Sequence, residues 1–340
     1  MEANERGNNR QVWIGILVSV VSLTAVFFFI KPADLWAALK TAQYGYLVFT
    51  VLGIVIFLFF RAVRWRFMLN NDPPYGQVFH IQNIGYLLTM LLPLRLGDVA
   101  RAILIGNVPP VTLARGISTM VVERLLDMIF MVTIVPFALA EVETIPPQLS
   151  EAVRLFGFAA VGGIVVLVVM ANERPLASRI ATFIFDRIPF MDTANWVRRV
   201  DDLLAGLSSL TRLKDGIILL TLSFFIWLPI ILAYYMTLRA ANLQPTIPMT
   251  LLTMVAAAFS VAAPSSPGQI GVFHAGVTFA LTEVLGQPGP EALTFAVLYH
   301  AVNTITLILM GLVGLFGAGV TFQNVVTATQ NFRKRQNSDQ

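Results

Sequence analysis

The sequence predicts an all-α membrane protein with six full spans, two re-entrant helical hairpins and an inverted repeat. Three observations predict it. Apolar residues make up 56% of the 340 and charged ones only 12%, about half the charged share of a soluble chain. Several uncharged runs reach the roughly 20 residues that cross a bilayer. Lysine and arginine gather in particular connections between those runs, as the positive-inside rule requires. One integral membrane domain over residues 1–340 follows. Within it lie a first re-entrant unit at about 77–140, surface helices at about 173–214 and a second re-entrant unit at about 248–317.

The spans follow in order. Val12–Ile30 is uncharged. It is too long for a signal-peptide core and has no small-residue cleavage site close behind it, so it reads as a retained first span. Lys31–Gln43 places Leu35, Trp36, Ala38 and Leu39 at helical spacing, which suits a short interfacial helix. Tyr44–Phe60 is the second span, stopped by "RAVRWR" (Arg61–Arg66). Gly116–Ala140 is the third, Leu155–Met170 belongs to the fourth, Gly216–Leu238 is the fifth and Ala292–Gly317 the sixth. Glu173–Asp215 is mixed in charge and helical in period, as amphipathic helices on the membrane surface are.

Two apolar segments fit no clean crossing. His80–Leu94 is short and meets Pro93; Pro248–Ala263 is short and runs into "PSSPGQIGVFHAG" (Pro264–Gly276). Both read as re-entrant helices, whose irregular backbone is tolerable at membrane depth only where protein or a watery cavity satisfies it. With the N-terminus inside, 18 of the 23 lysines and arginines fall on the cytoplasmic face, and Lys31, Lys40, Arg154 and Arg239 fall outside. Both termini are then cytoplasmic, and the two re-entrant segments enter from opposite faces. Interrupted hydrophobic segments at corresponding positions of two halves point to an inverted repeat with a midplane site.

The candidate site begins at "PLRLGDVAR" (Pro93–Arg101). Pro93 cannot continue a helix, Gly97 permits a sharp turn, and Asp98 stands where an N-cap would open the next helix. Unpaired N–H groups at such a helix start, with Arg95 and Arg101 beside them, form an anion site, and phosphate is the anion a bilayer supplies. The plainer reading is that these arginines mark a cytoplasmic loop and pair with Asp98 or with headgroups. "STMVVERLLDM" (Ser118–Met128) places Glu123, Arg124 and Asp127 inside the third span. Ionisable groups at that depth point inward and mark a pathway or a structural ion pair. Arg124 and Asp127 are three apart and share a face, which leaves Glu123 spare for Arg95 or Arg101. A purely structural clamp is the alternative. In the second break, Ser265, Ser266 and Gln269 offer hydroxyls and an amide, and its glycines expose backbone N–H groups. His300 and Asn303 stand on neighbouring turns of the sixth span.

The motifs "RAVRWRFML", "LLPLRLGDVARAILIG", "STMVVERLLDM" and "PSSPGQIGVFHAG" resemble the transmembrane lysylphosphatidylglycerol synthase/flippase family over essentially the whole chain. "RAVRWRFML" brings Arg61 and Arg64 into that resemblance. The family pattern implies site positions at Pro93, Arg95, Gly97, Asp98 and Arg101, then at Glu123, Arg124 and Asp127. In the second break it implies Pro267, Gly268 and Gly271. Gln269, His274 and His300 depart from it, standing where glycine, an acidic residue and arginine are common, which bears on the headgroup more than on the fold. The soluble aminoacylating domain fused to some members is not in this sequence, so the resemblance implies lipid translocation rather than synthesis.

The leading expectation is therefore a flippase for a polar-headed, phosphate-bearing lipid, multi-pass in the cell (inner or plasma) membrane. A membrane-embedded lipid-phosphate transferase would need Glu123, Asp127 or His300 as its base or nucleophile. An accessory role beside a lipid-modifying enzyme is a third reading. A membrane lipid, such an enzyme and a second copy of the chain are the candidate partners. No Walker loop, nucleophile elbow, HExxH or nucleic-acid module is visible. His80, His274 and His300 lack metal-ligand spacing, there is no cysteine, and no cofactor is implied.

Overall fold

The computed structural model describes residues 30–91, 96–140, 172–187, 192–206, 213–262 and 267–325, with scattered residues of 17–28 and 142–170. Most of the expected first and fourth spans lies outside the described residues, as do the tips of both expected hairpins. The described chain is helical. α1 is Pro32–Thr41, α2 Leu47–Met68, α3 Tyr75–Leu91, α4 Leu96–Gly106, α5 Leu113–Ala138, α6 Arg174–Phe185, α7 Thr193–Gly206, α8 Leu213–Ala240, α9 Ile247–Ala262, α10 Val272–Phe279 and α11 Gly289–Ala318.

Among the described residues three stretches are long and apolar enough to cross a membrane: Tyr44–Met68, Lys214–Ala240 and Gly289–Ala318. They correspond to the second, fifth and sixth expected spans. α5 has 26 residues and is long enough at about 1.5 Å per residue, but it carries Glu123, Arg124 and Asp127. Between the long helices stand two pairs of short ones, α3 with α4 and α9 with α10. Members of each pair pack on one another. α1 forms where the interfacial helix is expected, opened by Pro32, with Lys40 lying 5.4 Å over the Trp36 ring. α6 and α7 occupy the expected surface-helix region, pack together and rest on α5 through α7.

One expectation is corrected at α2. The arginines of "RAVRWR" do not stop this helix; it runs on to Met68 and ends where Asn70 and Asn71 take positive φ. Arg61 and Arg64 are consequently buried helix residues, not loop charges. Arginine is a good helix former, and burial of these two is tolerated because their guanidiniums meet carboxylates in the protein interior.

Several helix contacts have a counterpart elsewhere in the chain. α2 and α8 cross antiparallel: Thr50 and Thr237 share a hydroxyl hydrogen bond of 2.9 Å near one end, and Arg64 meets Ser223 near the other. α3 lies on α11, and α9 lies on α5; α4 packs on α5, and α10 on α11. The crossings inside the short pairs are built alike. Thr89 bonds back to the Gly85 carbonyl at 2.9 Å, and any Cβ on Gly97 of α4 would collide with both groups. Ser260 bonds back to the Ala256 carbonyl at 2.7 Å, and a Cβ on Gly276 of α10 would collide with that serine. A small residue against a back-bonded hydroxyl lets helix backbones approach closely where apolar solvent gives no hydrophobic drive.

Candidate functional site

The ionic cluster is assembled from three helices. Helical spacing puts Arg61 and Arg64 on one face of α2, and Glu123 and Asp127, four apart, on one face of α5. Arg101 reaches in from α4. Arg61 donates through Nε to Glu123 Oε1 at 2.7 Å, makes a closer contact with that oxygen through Nη2, and reaches Asp127 Oδ2 at 2.8 Å. Arg64 donates to Asp127 Oδ1 at 2.8 Å and to Ser223 Oγ at 2.9 Å. Arg101 donates to Glu123 Oε2 at 3.1 Å. Each carboxylate is thus held by two arginines.

Burial makes this arrangement consequential. The side chains of Arg64, Arg101 and Glu123 are 0%, 2% and 2% exposed. Among the described residues three guanidiniums of the cluster stand against two carboxylates, an excess of one positive charge. Arg64 Nε and Arg101 Nε are buried donors with no acceptor among the described residues. Aromatic rings carry part of the load: Arg101 lies 4.3 Å over Trp65, Arg61 5.3 Å over Phe57, and both stand near Tyr86, at 5.8 and 5.9 Å. The negative ring face attracts a cation, most strongly where water is excluded. Trp65 is oriented by its Nε1–H bond of 3.0 Å to Thr119 Oγ1.

Three sequence expectations are corrected here. Arg124 pairs with Asp98 at 2.7 Å, not with Asp127 or Glu123, because α5 turns it away from the face those carboxylates occupy. Asp98 is no N-cap: α4 already begins at Leu96, so Asp98 sits in its first turn with its carboxylate free to reach Arg124 and, at 3.9 Å, Arg101. Gly97 makes no turn; it lies inside α4, and glycine is required there by the close approach of α3. Pro93, Arg95, Ser265 and Ser266 lie outside the described residues.

The second break is neutral and differently built. Gly268, Gln269 and Gly271 all take positive φ, at 70, 62 and 89°. Such backbone costs a non-glycine residue like Gln269 and persists where surroundings impose it. His300 of α11 donates from Nε2 to the Gly268 carbonyl at 2.6 Å, and the Gly271 N–H donates to His274 Nδ1 at 3.4 Å. The two imidazole centroids are 4.8 Å apart. Asn303 follows along α11, partly buried. Gly268 approaches the Met90 carbonyl at the end of α3, so the turn of the second half meets the first break. Among the described residues no three His, Asp or Glu side chains converge as metal ligands.

Phe57, Trp65, Tyr86 and Ser223 line the cluster without having been singled out from sequence. The one available signal was the tryptophan set between arginines in "RAVRWR".

A helical chain with three segments able to cross a membrane among its described residues is a multi-pass membrane protein. The sequence matches the family of the lysylphosphatidylglycerol synthase TM region over residues 12–311, and the chain belongs to that family. Neither the curated proteins nor the solved structures supply a significant match.

Proposed function

We propose that this protein moves a phosphate-bearing, polar-headed lipid between the leaflets of the cell membrane. The observation that carries the reading is the cluster at Arg61, Arg64, Arg101, Glu123 and Asp127. A buried, uncompensated guanidinium is expensive, and intramembrane charge marks a pathway by default. An anionic headgroup supplies the missing charge and the acceptors that Arg64 Nε and Arg101 Nε lack. Arginine can grip phosphate bidentately, where lysine acts as a point charge.

The packing supports six spans with two re-entrant hairpins and an inverted repeat. Exchanging α2, α3, α4 and α5 with α8, α9, α10 and α11 maps α3–α4 onto α9–α10, α4–α5 onto α10–α11, α3–α11 onto α9–α5, and α2–α8 onto itself. The exchanged partners α2 and α8 run antiparallel, which an inverted relation demands. Gln43, just before α2, bonds to Ala240 and Asn242 at the end of α8. Asp72, after α2, pairs with Arg115 at the start of α5. The first set suits the outer face and the second the cytoplasmic face.

Glu123 and Asp127 are each engaged by two arginines, which favours binding over general-base chemistry. Purified protein in liposomes tests the proposal with labelled lipids of several headgroups. Movement between leaflets without change of lipid mass is the expected result. A changed mass would replace transport by a transferase activity, and neither effect would leave an accessory role.

A further inference from the structure

One ion pair lies outside the buried cluster and is joined to it. Arg124 donates to Asp98 at 2.7 Å, Asp98 stands 3.9 Å from Arg101 Nη1, and Arg101 Nη2 donates to Glu123 at 3.1 Å. Side-chain exposure falls along this line, from 50% at Arg124 and 35% at Asp98 to 2% at Arg101 and Glu123. A charged path therefore leads from the protein surface to the buried site.

The depth of its open end is informative. Arg124 is twelfth among the 26 residues that run from Leu113, about 18 Å along the helix, so it sits near the middle of α5. Val121 and Met128, on the same face of α5, are exposed, and so is Val99 beside Asp98. Exposed apolar side chains at that depth suit lipid tails. A half-exposed guanidinium among them does not, because the bilayer interior offers it neither water nor an anion. Asp98 answers only one part of its donor fork.

We propose that the Arg124–Asp98 pair is the lateral mouth of the site, where a phospholipid headgroup enters between α4 and α5. The headgroup phosphate displaces Asp98 from Arg124 and passes inward to Arg101, while Val99, Val121 and Met128 keep the acyl chains in the bilayer. Path and buried cluster together hold four arginines against three carboxylates, and that excess of one positive charge is the complement of the phosphate. This inference rests on the reading that the chain moves lipid.

The chain has no cysteine, so single thiols can be placed cleanly. Val121→Cys puts one beside the mouth. Ile305→Cys puts another on an exposed apolar stretch near the middle of α11, with no charge at its own or either adjacent position. Both proteins are reconstituted in vesicles containing a phospholipid whose headgroup carries a maleimide. Labelling at position 121 should be severalfold faster than at position 305, and equal rates would overturn the proposal. In the Val121→Cys background, Asp98→Leu with Arg124→Leu should bring labelling down to the position 305 level. Retained fast labelling in that variant, folded by its melting curve, would equally overturn it. Should the double variant not fold, the comparison of positions 121 and 305 decides alone. Headgroup labelling is read independently of leaflet exchange. A protein that labels at the mouth yet moves no lipid would sink the transport reading and leave the mouth standing.

Discussion

Glu123→Gln is the sharpest probe of the buried cluster. The amide keeps the shape of the carboxylate but removes the charge that holds Arg61 at 2.7 Å and Arg101 at 3.1 Å. Three guanidiniums would then face one carboxylate instead of two. Breaking a buried ion pair from one side costs about 3–5 kcal/mol. Arg115→Ala is the control: its pair with Asp72 is partly exposed at 3.0 Å, and such pairs contribute about 0–1 kcal/mol. A second variant separates charge balance from packing. Arg101→Leu with Glu123→Leu removes one charge of each sign, so the excess of a single guanidinium is unchanged. Replacing a buried pair by apolar groups is often neutral, and this double variant should be more stable than Glu123→Gln alone. Unfolding in mixed micelles, followed through the summed fluorescence of the five tryptophans, measures all three. Glu123→Gln no less stable than Arg115→Ala would mean that water reaches the cluster and the burial argument is wrong.

Arg61→Lys keeps the charge but cannot span Glu123 and Asp127 with one planar fork, so headgroup transport should fall by about tenfold or more while folding persists; wild-type transport would reduce Arg61 to a counter-ion. Gly276→Leu drives a side chain into Ser260 and should cost about 1–3 kcal/mol, with Gly97→Leu behaving alike against Thr89; a tolerant Gly276 beside an intolerant Gly97 would break the equivalence of the two helix pairs. An impermeant thiol reagent added outside intact cells should reach a cysteine replacing Lys40 and not one replacing Arg187, and the opposite pattern would invert the topology. His300→Ala removes the donor to the Gly268 carbonyl and should cost about 0.5–1.5 kcal/mol, read as faster proteolysis near the turn; unchanged proteolysis would show that other contacts hold it.

The spans were legible from the length of their uncharged runs and the surface helices from their period, and Pro93 and the "PSSPG" stretch announce where apolar runs stop. The intramembrane charges at Glu123, Arg124 and Asp127 were legible too, since a span of that length cannot avoid them. Pairing was not. Arg61 and Arg64 look like the cytoplasmic end of a span because hydropathy cannot separate a charge that meets water from one that meets a carboxylate 62 or 63 residues away. Helical spacing allowed Arg124 to pair with Asp127, but Asp98 of α4 and the arginines of α2 offered competing partners whose positions only tertiary packing sets. Gly97 was misread for a related reason. Glycine serves a turn or a close crossing, and the sequence alone does not say which.

The division of labour between the halves follows from placing different side chains on one packing scheme. Around the first break, α2, α4 and α5 supply four arginines and three carboxylates. Around the second, α10 and α11 supply two imidazoles, and Tyr299 of α11 lies between Phe273 of α10 and Tyr234 of α8, touching both rings. The charged half can take a headgroup only if something relaxes, because Glu123 and Asp127 already occupy its arginines. The turn at Gly268 joins the halves physically: its carbonyl is held by His300, and the turn packs on α3, where a Cβ on Gly268 would lie in contact distance of the Met90 carbonyl. Any shift of the turn therefore presses on the helix that precedes Arg101. If the turn is this link, Gly268→Ala should disturb the first half as well as the second, since alanine is strained at a φ of 70°. Hydrogen exchange is the measurement, and the expected outcome is faster exchange in both α10 and the end of α3. Faster exchange confined to α10 would show that the two halves move independently.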